Sequence, residues 1–270
     1  MIIDIHTHIF PDKIAKKTIE YLSEKGGIPP FSDGSVDTLL KKMEEAGTDI
    51  SINMPVITDP RQFDSVNRYA AQINDAFGNK NRRIISFAGI HPECDDIQKK
   101  MAFIKKSGFL GVKLHPDYQG ALITHEGYVK IIECAKEYDL VVLTHSGVDA
   151  AYRNVLPVKC TPMLAKELIK KVPYSKLVLA HFGAHEMYDG VYELLCGEDV
   201  YFDTAYMLRF IDEPTFKKIL RRHGDDKILF GSDSPWSDIQ KDVEILRAFS
   251  LGEETQSKIF CDNAKKLLGI

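Results

Sequence analysis

The sequence predicts an α/β fold, a single (β/α)8 TIM barrel that occupies residues 1–270 as one domain. Short β-branched apolar runs alternate with amphipathic helical patterns, which is typical of parallel strands joined by crossover helices. The length of 270 residues is close to the roughly 250 residues of one such barrel. An open doubly wound sheet would normally carry a Gly-rich phosphate-binding turn after an early strand, and the sequence contains no such motif.

The apolar runs predict eight strands, at residues 2–8, 49–54, 84–90, 109–114, 140–145, 177–181, 200–203 and 228–233. Amphipathic periodicity predicts the helices between them, at residues 38–46, 63–77, 97–106, 128–138, 163–171, 184–195 and 215–222. An additional helix is predicted at residues 13–24, and the irregular segment 26–34 follows it. In a barrel this insertion after the first strand lies over the mouth, either as a lid or substrate wall or as a passive loop.

Composition and charge exclude several function classes. A net charge of −4 provides no positive surface for nucleic acid or anionic lipid. No apolar run reaches the ~20 residues of a membrane span, and the N-terminus leads into a strand without a secretory leader. Five scattered cysteines without a Cys-x-x-Cys motif are typical of reduced thiols. We therefore expect a cytoplasmic protein, compatible with a homodimer, that acts on a small molecule and binds neither nucleic acid nor membrane.

The first strand carries two histidines, His6 and His8, in the segment Ile-Ile-Asp-Ile-His-Thr-His. Residues two apart on a strand point to the same face, so both imidazoles leave the strand together. Two neutral imidazoles that converge are good ligands for a divalent metal of the zinc type. A lone His-x-His pair also occurs by chance, so its interpretation depends on the rest of the chain.

Further ligand-type side chains stand at the C-terminal ends of later strands. After the fourth, fifth, sixth and eighth predicted strands these are, in order, His115, His145, His181 and Asp233. The C-terminal strand ends of a parallel barrel meet at one mouth, which holds the active site. A histidine at the end of an apolar strand is costly to bury unless it is paired or ligated. The set therefore predicts a metal site at the mouth.

The residues after Asp233 predict where the eighth strand ends. Ser234 and Pro235 are typical of a helix N-cap followed by proline in the first helical position. This pattern places the Asp233 carboxylate at the rim of the barrel, facing the imidazoles.

Six segments, distributed over the whole chain, carry a family resemblance. They are residues 4–11 (DIHTHIFP), 111–116 (GVKLHP), 144–145 (TH), 180–183 (AHFG), 231–235 (GSDSP) and 263–269 (NAKKLLG). As an ordered set they resemble the amidohydrolase superfamily, and within it the amidohydrolase-2 group that includes aminocarboxymuconate-semialdehyde decarboxylase-like proteins. The motifs are specific for the superfamily and only weakly specific for a substrate.

The resemblance implies a divalent metal ion, zinc in the first instance, and a set of residues that hold it: His6, His8, His145 and Asp233. It implies that His181 is either a ligand of a second metal or a catalytic group that polarises the substrate. Lys113 is either a carbamylated bridge between two metals, as in some binuclear members, or a free cation that binds a substrate carboxylate.

Substrate contacts are expected from side chains that lie shortly after strand ends. We assign substrate binding to Lys113, His115 and Arg153, and the other candidates are Arg61, Tyr118, Tyr152, Tyr206, Arg209 and Trp236. Several cations at the mouth favour an anionic substrate, although helix packing also explains each one singly.

Three further histidines have weaker signals. His185 either lines the mouth or caps a helix. His125 and His223 lie in polar helical sequence, and we expect both to face solvent.

The preferred reaction is hydrolysis of an amide, lactone or ester bond by a metal-activated water. Asp233 would take the proton of that water and pass it to the leaving group, while the metal or His181 stabilises the oxyanion. The first alternative is a non-hydrolytic decarboxylase, in which the same ligands hold a carboxylated substrate and Asp233 or His181 protonates its carbon. A metal-dependent phosphoesterase and a non-enzymatic binding barrel are the remaining alternatives.

Overall fold

A ring of parallel strands forms the centre of the structure, a computed structural model that describes residues 1–78, 80 and 83–270. The strands are β1 (Ile3–Thr7), β2 (Ile50–Asn53), β3 (Arg83–Ser86), β4 (Ala88–Gly89), β5 (Gly111–Leu114), β6 (Val141–Thr144), β7 (Leu177–Leu179), β8 (Tyr201–Asp203) and β9 (Ile228–Leu229). Strands pair in parallel and in chain order, from β1 to β3 and from β4 to β9.

The two runs of strands join into one barrel. β3 and β4 are separated only by Phe87, so together they form the third strand of the ring. At the other junction, the Ile5 N–H donates to the Phe230 carbonyl at 2.9 Å, and the His8 N–H donates to the Ser234 carbonyl at 2.7 Å. The predicted (β/α)8 barrel is confirmed.

A side chain takes the place of a strand neighbour where the third strand is interrupted. The Asn67 amide donates to the Gly89 carbonyl at 3.0 Å, and its Oδ1 accepts from the Gly89 N–H at 2.8 Å. Gly89 has no room for a Cβ atom, which would lie 2.7 Å from the Ile57 side chain. The single predicted strand 84–90 is divided at Phe87 into β3, which pairs with β2, and β4, which pairs with β5.

Helices surround the barrel. They are α1 (Asp12–Gly26), α2 (Val36–Ala46), α3 (Phe63–Phe77), α4 (Ile97–Lys106), α5 (Pro116–Gln119), α6 (Glu126–Tyr138), α7 (Pro162–Lys171), α8 (Tyr188–Leu194), α9 (Glu213–His223), α10 (Ile239–Ala248), α11 (Glu253–Ser257) and α12 (Asn263–Leu268). The predicted insertion helix after the first strand is α1. Side chains cap several helices, because the hydroxyl or carboxylate accepts from a backbone N–H three residues on, as at Ser35, Thr161 and Asp212. Of the helices in the described ranges, none is long and apolar enough to cross a membrane.

Apolar side chains fill the barrel and the space between its strands and the helices. The inner layer includes Ile3, Ile5, Ile52, Leu143 and Val178, together with Ala264 and Leu267 of α12. Val142 belongs to the outer layer, against the helices, because successive side chains on a strand point to opposite faces. Lys113 is in register with Leu143, so it shares the inner face and points into the barrel.

The prediction of a helix directly after Asp233 is wrong. Residues 234–238 are not helical, and α10 begins only at Ile239, with Asp238 as its N-cap. The reason is that the backbone of Ser234 is used to close the barrel, as a parallel bridge partner of Thr7. The helix predicted at residues 184–195 likewise begins later, at Tyr188.

The prediction that His223 faces solvent is also wrong. Its side chain is buried, and its ring stacks on Phe202 with 3.9 Å between ring centroids. Its Nε2 atom lies 3.0 Å from the Val200 carbonyl, and burial lowers its pKa to about 4. His223 is therefore a neutral core residue at the end of α9. His125 is exposed as expected.

Candidate active site

A cavity of about 610 Å³ opens where the barrel strands end. Strand-end side chains line it, namely His6, His8, Lys113, His115, His145, His181 and Asp233. Helix α1 lines it as well, through Ile14, Thr18, Tyr21, Leu22 and Lys25. The insertion after the first strand is therefore a wall of the cavity and not a passive loop.

Three of the four predicted metal ligands lie together. His6, His8 and Asp233 each offer a ligand atom, and these atoms lie within 4.8 Å of one another. We call these three residues the first ligand group. His145, the fourth predicted ligand, lies elsewhere in the cavity, with its ring stacked on that of His115 at a centroid distance of 4.2 Å.

The hydrogen bonds of the two histidines fix which nitrogen faces this group. His8 Nδ1 lies 2.7 Å from the Met54 carbonyl. Because a carbonyl only accepts, His8 Nδ1 carries the proton and Nε2 keeps its lone pair. His6 Nδ1 lies 2.9 Å from Asp203 Oδ2, which orients His6 in the same way. Both Nε2 lone pairs therefore face Asp233 Oδ1, at 3.1 Å from His8 and 3.4 Å from His6.

This arrangement fits a divalent metal ion. Two imidazole lone pairs and a carboxylate oxygen face one another here, and a cation bound among them would satisfy all three acceptors. The second nitrogen of each ring is held by a carboxylate or a carbonyl, as is usual for histidines that bind metals. The first ligand group thus has both the donor atoms and the supporting contacts of a metal site.

Sequence reasoning missed Asp203, which supports this group. It is fully buried at the end of β8, and its Oδ1 accepts from the backbone N–H of His181 at 2.8 Å and of Ala205 at 3.1 Å. Its other oxygen faces His6. The signal was present in the sequence, because Asp203 ends an apolar strand just as Asp233 does.

The electrostatics of Asp233 reflect its neighbours. Burial would raise its pKa, but His6 and His8 outweigh that effect and hold the pKa well below its ordinary value. Asp233 has a positive φ of 67°, an uncommon conformation for a side-chain-bearing residue. The chain turns there, and the turn presents the carboxylate to the histidines.

Lys113 lies beside the first ligand group. Its side chain is 1% exposed, and its Nζ atom is 2.8 Å from His6 Nε2. Burial lowers its pKa to about 8, although Asp233 and Asp203 act in the opposite direction. The structure thus places a buried amine, as the sequence predicts, within reach of anything bound at this group.

His181 lies in the same cavity and contacts His145. Its Nδ1 atom lies 2.9 Å from the Ala205 carbonyl, and its Nε2 atom lies 2.9 Å from His145 Nδ1. Burial lowers the pKa of His181 and, more strongly, that of His145. Two neutral rings in contact can share and transfer a proton along this line.

Two carboxylates that sequence reasoning missed, the partly buried Asp149 and the buried Asp117, lie next to His115 and His145. Asp149 Oδ2 is 3.5 Å from His115 Nε2, and Asp117 Oδ2 is 3.7 Å from His145 Nε2. Burial raises the pKa of Asp149 to about 7 and that of Asp117 to about 6. Neither follows its strand directly, so no pattern in the sequence distinguished them from loop residues.

Some of the other candidates for substrate contact line the cavity, and others do not. Tyr118, Tyr152, Tyr206, Trp236 and also His185 line the cavity. Of the described cavity-lining side chains, none is one of the predicted arginines Arg61, Arg153 and Arg209. Arg153 is exposed and forms two hydrogen bonds with Glu186, at 2.7 and 2.6 Å.

The chain matches a family of proteins along nearly its whole length. The family described as Amidohydrolase matches residues 3–270. No curated protein sequence matches the chain.

Three solved structures of decarboxylases have the same barrel. That of 2,6-dihydroxybenzoate decarboxylase from Rhizobium is 17% identical, with a TM-score of 0.69 over 99% of this chain and 98% of that one. That of 5-carboxyvanillate decarboxylase from Sphingomonas paucimobilis is 13% identical, with a TM-score of 0.70 over 100% and 99%. A dihydroxybenzoic acid decarboxylase from Polaromonas, with bound manganese and the inhibitor 2-nitroresorcinol, is 17% identical, with a TM-score of 0.71 over 99% and 96%. At these identities the similarity shows the fold.

Proposed function

We propose, on the premise that this chain belongs to the amidohydrolase family, that it is a metal-dependent, non-hydrolytic decarboxylase of a small aromatic carboxylate. The observation that carries the proposal is the buried Lys113 amine beside the first ligand group, in a cavity with aromatic walls. The decarboxylase activities named for three structures with this barrel support it. Hydrolysis, which the sequence favoured, becomes the second candidate.

The base of the cavity suits a carboxylate. Lys113 is 1% exposed, and its Nζ atom lies 2.8 Å from His6 Nε2, a nitrogen of the first ligand group. A buried ammonium is costly unless an anion pairs with it. A substrate carboxylate bound there would meet Lys113, and a metal held by His6, His8 and Asp233 would supply Lewis acidity at the same place.

The walls of the cavity suit a flat ring. Seven of the described lining residues are Phe, Tyr or Trp, namely Phe10, Tyr21, Tyr69, Tyr118, Tyr152, Tyr206 and Trp236. The cavity volume of about 610 Å³ lies within the range of ~300–1,000 Å³ usual for sites of small molecules. Planar aromatic substrates pack well against such walls, in offset or edge-to-face contacts.

Decarboxylation requires one proton at the carbon that loses the carboxyl group. The carbon–carbon bond breaks, and its electron pair stays on the carbon that held the carboxyl group. CO2 leaves, and that carbon takes a proton from an acid in the site. His181 lines the cavity and would deliver that proton, because Asp233 is ionised at neutral pH. The His181–His145 contact at 2.9 Å provides a path by which His181 regains a proton.

Hydrolysis remains as the second candidate because of the charge state of Asp233. Its neighbouring histidines hold its pKa low, so it is a carboxylate at neutral pH. A carboxylate in this place would accept the proton of an attacking water, as hydrolysis of an amide, lactone or ester requires.

The two reactions are distinguished by what enters the product. The metal-loaded enzyme should be incubated with hydroxylated aromatic carboxylates, and with the amides and esters of the same acids, in water enriched in oxygen-18 and separately in D2O. We expect release of CO2, one deuterium on the product ring and no oxygen-18 in the product. Oxygen-18 in a new carboxyl group, without CO2 release, would overturn decarboxylation in favour of hydrolysis.

Replacing Lys113 tests its role as the carboxylate receptor. Lys113→Met should raise KM for the carboxylate at least tenfold, whereas Lys113→Arg, which keeps the charge, should retain part of the affinity. Lys17→Met, an exposed position on α1, is the matched control. An unchanged KM in Lys113→Met would show that Lys113 does not bind the substrate carboxylate.

Histidine nitrogen and carboxylate oxygen suit both Zn²⁺ and Mn²⁺. The manganese in the Polaromonas decarboxylase structure makes Mn²⁺ as good a candidate as the zinc expected from the sequence. We also place the protein in the cytoplasm, because all five cysteines are free thiols, as is usual in a reducing compartment.

A further inference from the structure

A second lysine lines the cavity, in the wall that α1 forms. Lys25 lies in the last turn of α1, and its side chain is exposed, whereas Lys113 is 1% exposed. Among the described residues that line the cavity, Lys25 and Lys113 are the only ones of the Lys or Arg type. We infer that Lys25 binds a second anionic group of the substrate, so that the substrate is an aromatic dianion. This inference rests on the proposed function, which assigns the first anionic group to Lys113.

Two tyrosine rings hold the Lys25 ammonium in place. Its Nζ atom lies 3.8 Å from the ring centroid of Tyr152 and 5.1 Å from that of Tyr118. The two rings contact each other edge to face, with 4.9 Å between their centroids. A ring face attracts a cation but carries no full negative charge. An ammonium has three N–H donors, so those that do not face the rings remain available to an anion in the cavity.

The carboxylates of the protein do not neutralise Lys25. Asp149 is the acidic residue on the same side of the cavity, and both of its oxygens face other groups. Its Oδ1 accepts from the Ala151 N–H at 2.8 Å, and its Oδ2 lies 3.5 Å from His115 Nε2. Within the described part of the chain, the ion pair on α1 joins Lys16 to Glu20 and leaves Lys25 without a carboxylate partner. The ammonium therefore keeps its charge for a ligand.

A continuous row of rings leads from Lys25 towards the base of the cavity. Tyr118 contacts the ring of His115 edge to face, with 4.6 Å between centroids, and His115 stacks on His145 at 4.2 Å. Burial, and after it the charge of Lys113, holds the pKa of His115 well below its ordinary value, which indicates that this ring lies near Lys113. A planar substrate whose reacting carboxylate meets Lys113 would lie along these rings and extend towards Lys25.

The two lysines together determine which substrates bind best. A monoanion pairs with Lys113 alone, whereas an aromatic acid with a second anionic group pairs with Lys25 as well. Each pair is a charge-assisted hydrogen bond, which is stronger than one between neutral groups. Two such contacts at separate places in the cavity also fix the direction in which the ring enters. Lys25 is thus a specificity-determining residue that reads the end of the substrate that does not react.

The test is the affinity of the full-length, metal-loaded protein for aromatic acids with one or two carboxylates. The probes are benzoate and the dicarboxylates isophthalate and terephthalate, and isothermal titration calorimetry measures their binding without turnover. We expect one of the two dicarboxylates to bind the wild type about tenfold more tightly than benzoate, which is the effect of one additional hydrogen bond between charged groups. Equal or weaker binding of both dicarboxylates would overturn the inference, and so would no binding of either.

Replacing Lys25 removes the second contact. Lys25→Met keeps the length of the side chain, and its preference for the dicarboxylate should fall about tenfold, to the level of benzoate. Lys25→Arg keeps the charge and should retain most of the preference. Lys17→Met, at an exposed position on the same helix, is the matched control and should keep all of it. An unchanged preference in Lys25→Met would overturn the inference. An equal loss in Lys17→Met would also overturn it, because the effect would then come from net charge alone.

Lys113→Met separates this inference from the proposed function. It should weaken the binding of benzoate and of the dicarboxylates alike, since both place a carboxylate at the base of the cavity. Unchanged benzoate affinity in Lys113→Met would overturn the carboxylate receptor of the proposed function and leave the Lys25 contact intact. A wild type without a preference for either dicarboxylate would overturn the Lys25 contact alone. Because calorimetry needs no turnover, hydrolysis in place of CO2 release would likewise affect the proposed function only.

Discussion

The carboxylate of Asp203 lies 2.9 Å from the Nδ1 atom of His6. It holds the imidazole so that Nε2 faces Asp233, the carboxylate of the first ligand group. The other oxygen of Asp203 accepts from two backbone N–H groups, those of His181 and Ala205. Because both oxygens are engaged, the carboxylate cannot rotate freely. Asp203 therefore fixes both the direction of the His6 ring and the nitrogen, Nε2, that faces Asp233.

Replacing Asp203 with Asn should weaken metal binding by about 10–100-fold. The amide oxygen would stay with the backbone N–H groups, so the amide nitrogen would face His6 Nδ1 and force its proton onto Nε2. Affinity should be measured by competition with a chelator, and Asp212→Asn, which changes the N-cap of α9, is the control. Wild-type affinity in Asp203→Asn would show that His6 needs no such support.

Lys25 connects the α1 wall to the opposite side of the cavity. Its Nζ atom lies 3.8 Å from the ring centroid of Tyr152 and 5.1 Å from that of Tyr118. Lys25→Ala should raise KM about fivefold with little change in kcat, since cation–π contacts of this kind contribute about 1 kcal/mol. Steady-state kinetics would be compared with those of Lys17→Ala on the same helix. Equal KM values in the two variants would mean that this contact does not shape the substrate site.

Asp242 makes the stability of the protein depend on pH. Its side chain is buried in α10, and burial raises its pKa to about 8. The unfolded chain ionises this residue near its ordinary pKa of 3.8, whereas the folded protein does not until about pH 8. Its contribution to stability is therefore complete below about pH 4 and is lost progressively as the pH rises towards 8.

Asp242→Asn should remove this dependence, because asparagine does not ionise. Relative to the wild type, the variant should gain stability between pH 5 and pH 8, by an amount on the order of a few kcal/mol. Urea unfolding at both pH values measures the difference, and Asp75→Asn, at an exposed position on α3, is the control. A difference that is the same at both pH values would contradict the prediction.

His223 should stabilise the fold without taking part in the site. His223→Ala removes the stacking on Phe202 and the hydrogen bond to Val200, which should cost about 3 kcal/mol. His223→Phe keeps the stacking and should cost less. Thermal unfolding measures both losses, and the bound-metal content should stay at the wild-type value. A loss of metal in either variant would indicate a connection to the site.

The site residues that the sequence predicts stand directly at strand ends, whereas Asp149, which it misses, is brought to the site by contacts between distant parts of the chain. His6, His8 and Asp233 stand at the ends of apolar runs, so pattern alone placed them at the barrel mouth. Asp149 follows its strand by several residues and comes into the cavity beside His115, which lies on another strand end. Such contacts cannot be read from spacing along the chain.

The sequence by itself determined the barrel and the collection of imidazoles and carboxylates at one of its ends. Strand and helix periodicity is a local property, and the ends of parallel strands must converge. Only the tertiary structure decided which of those side chains face one another. Ring orientation depends on partners distant in sequence, as with His6 and Asp203, which are 197 residues apart. Burial, which the fold alone creates, then determines which of these groups carry charge.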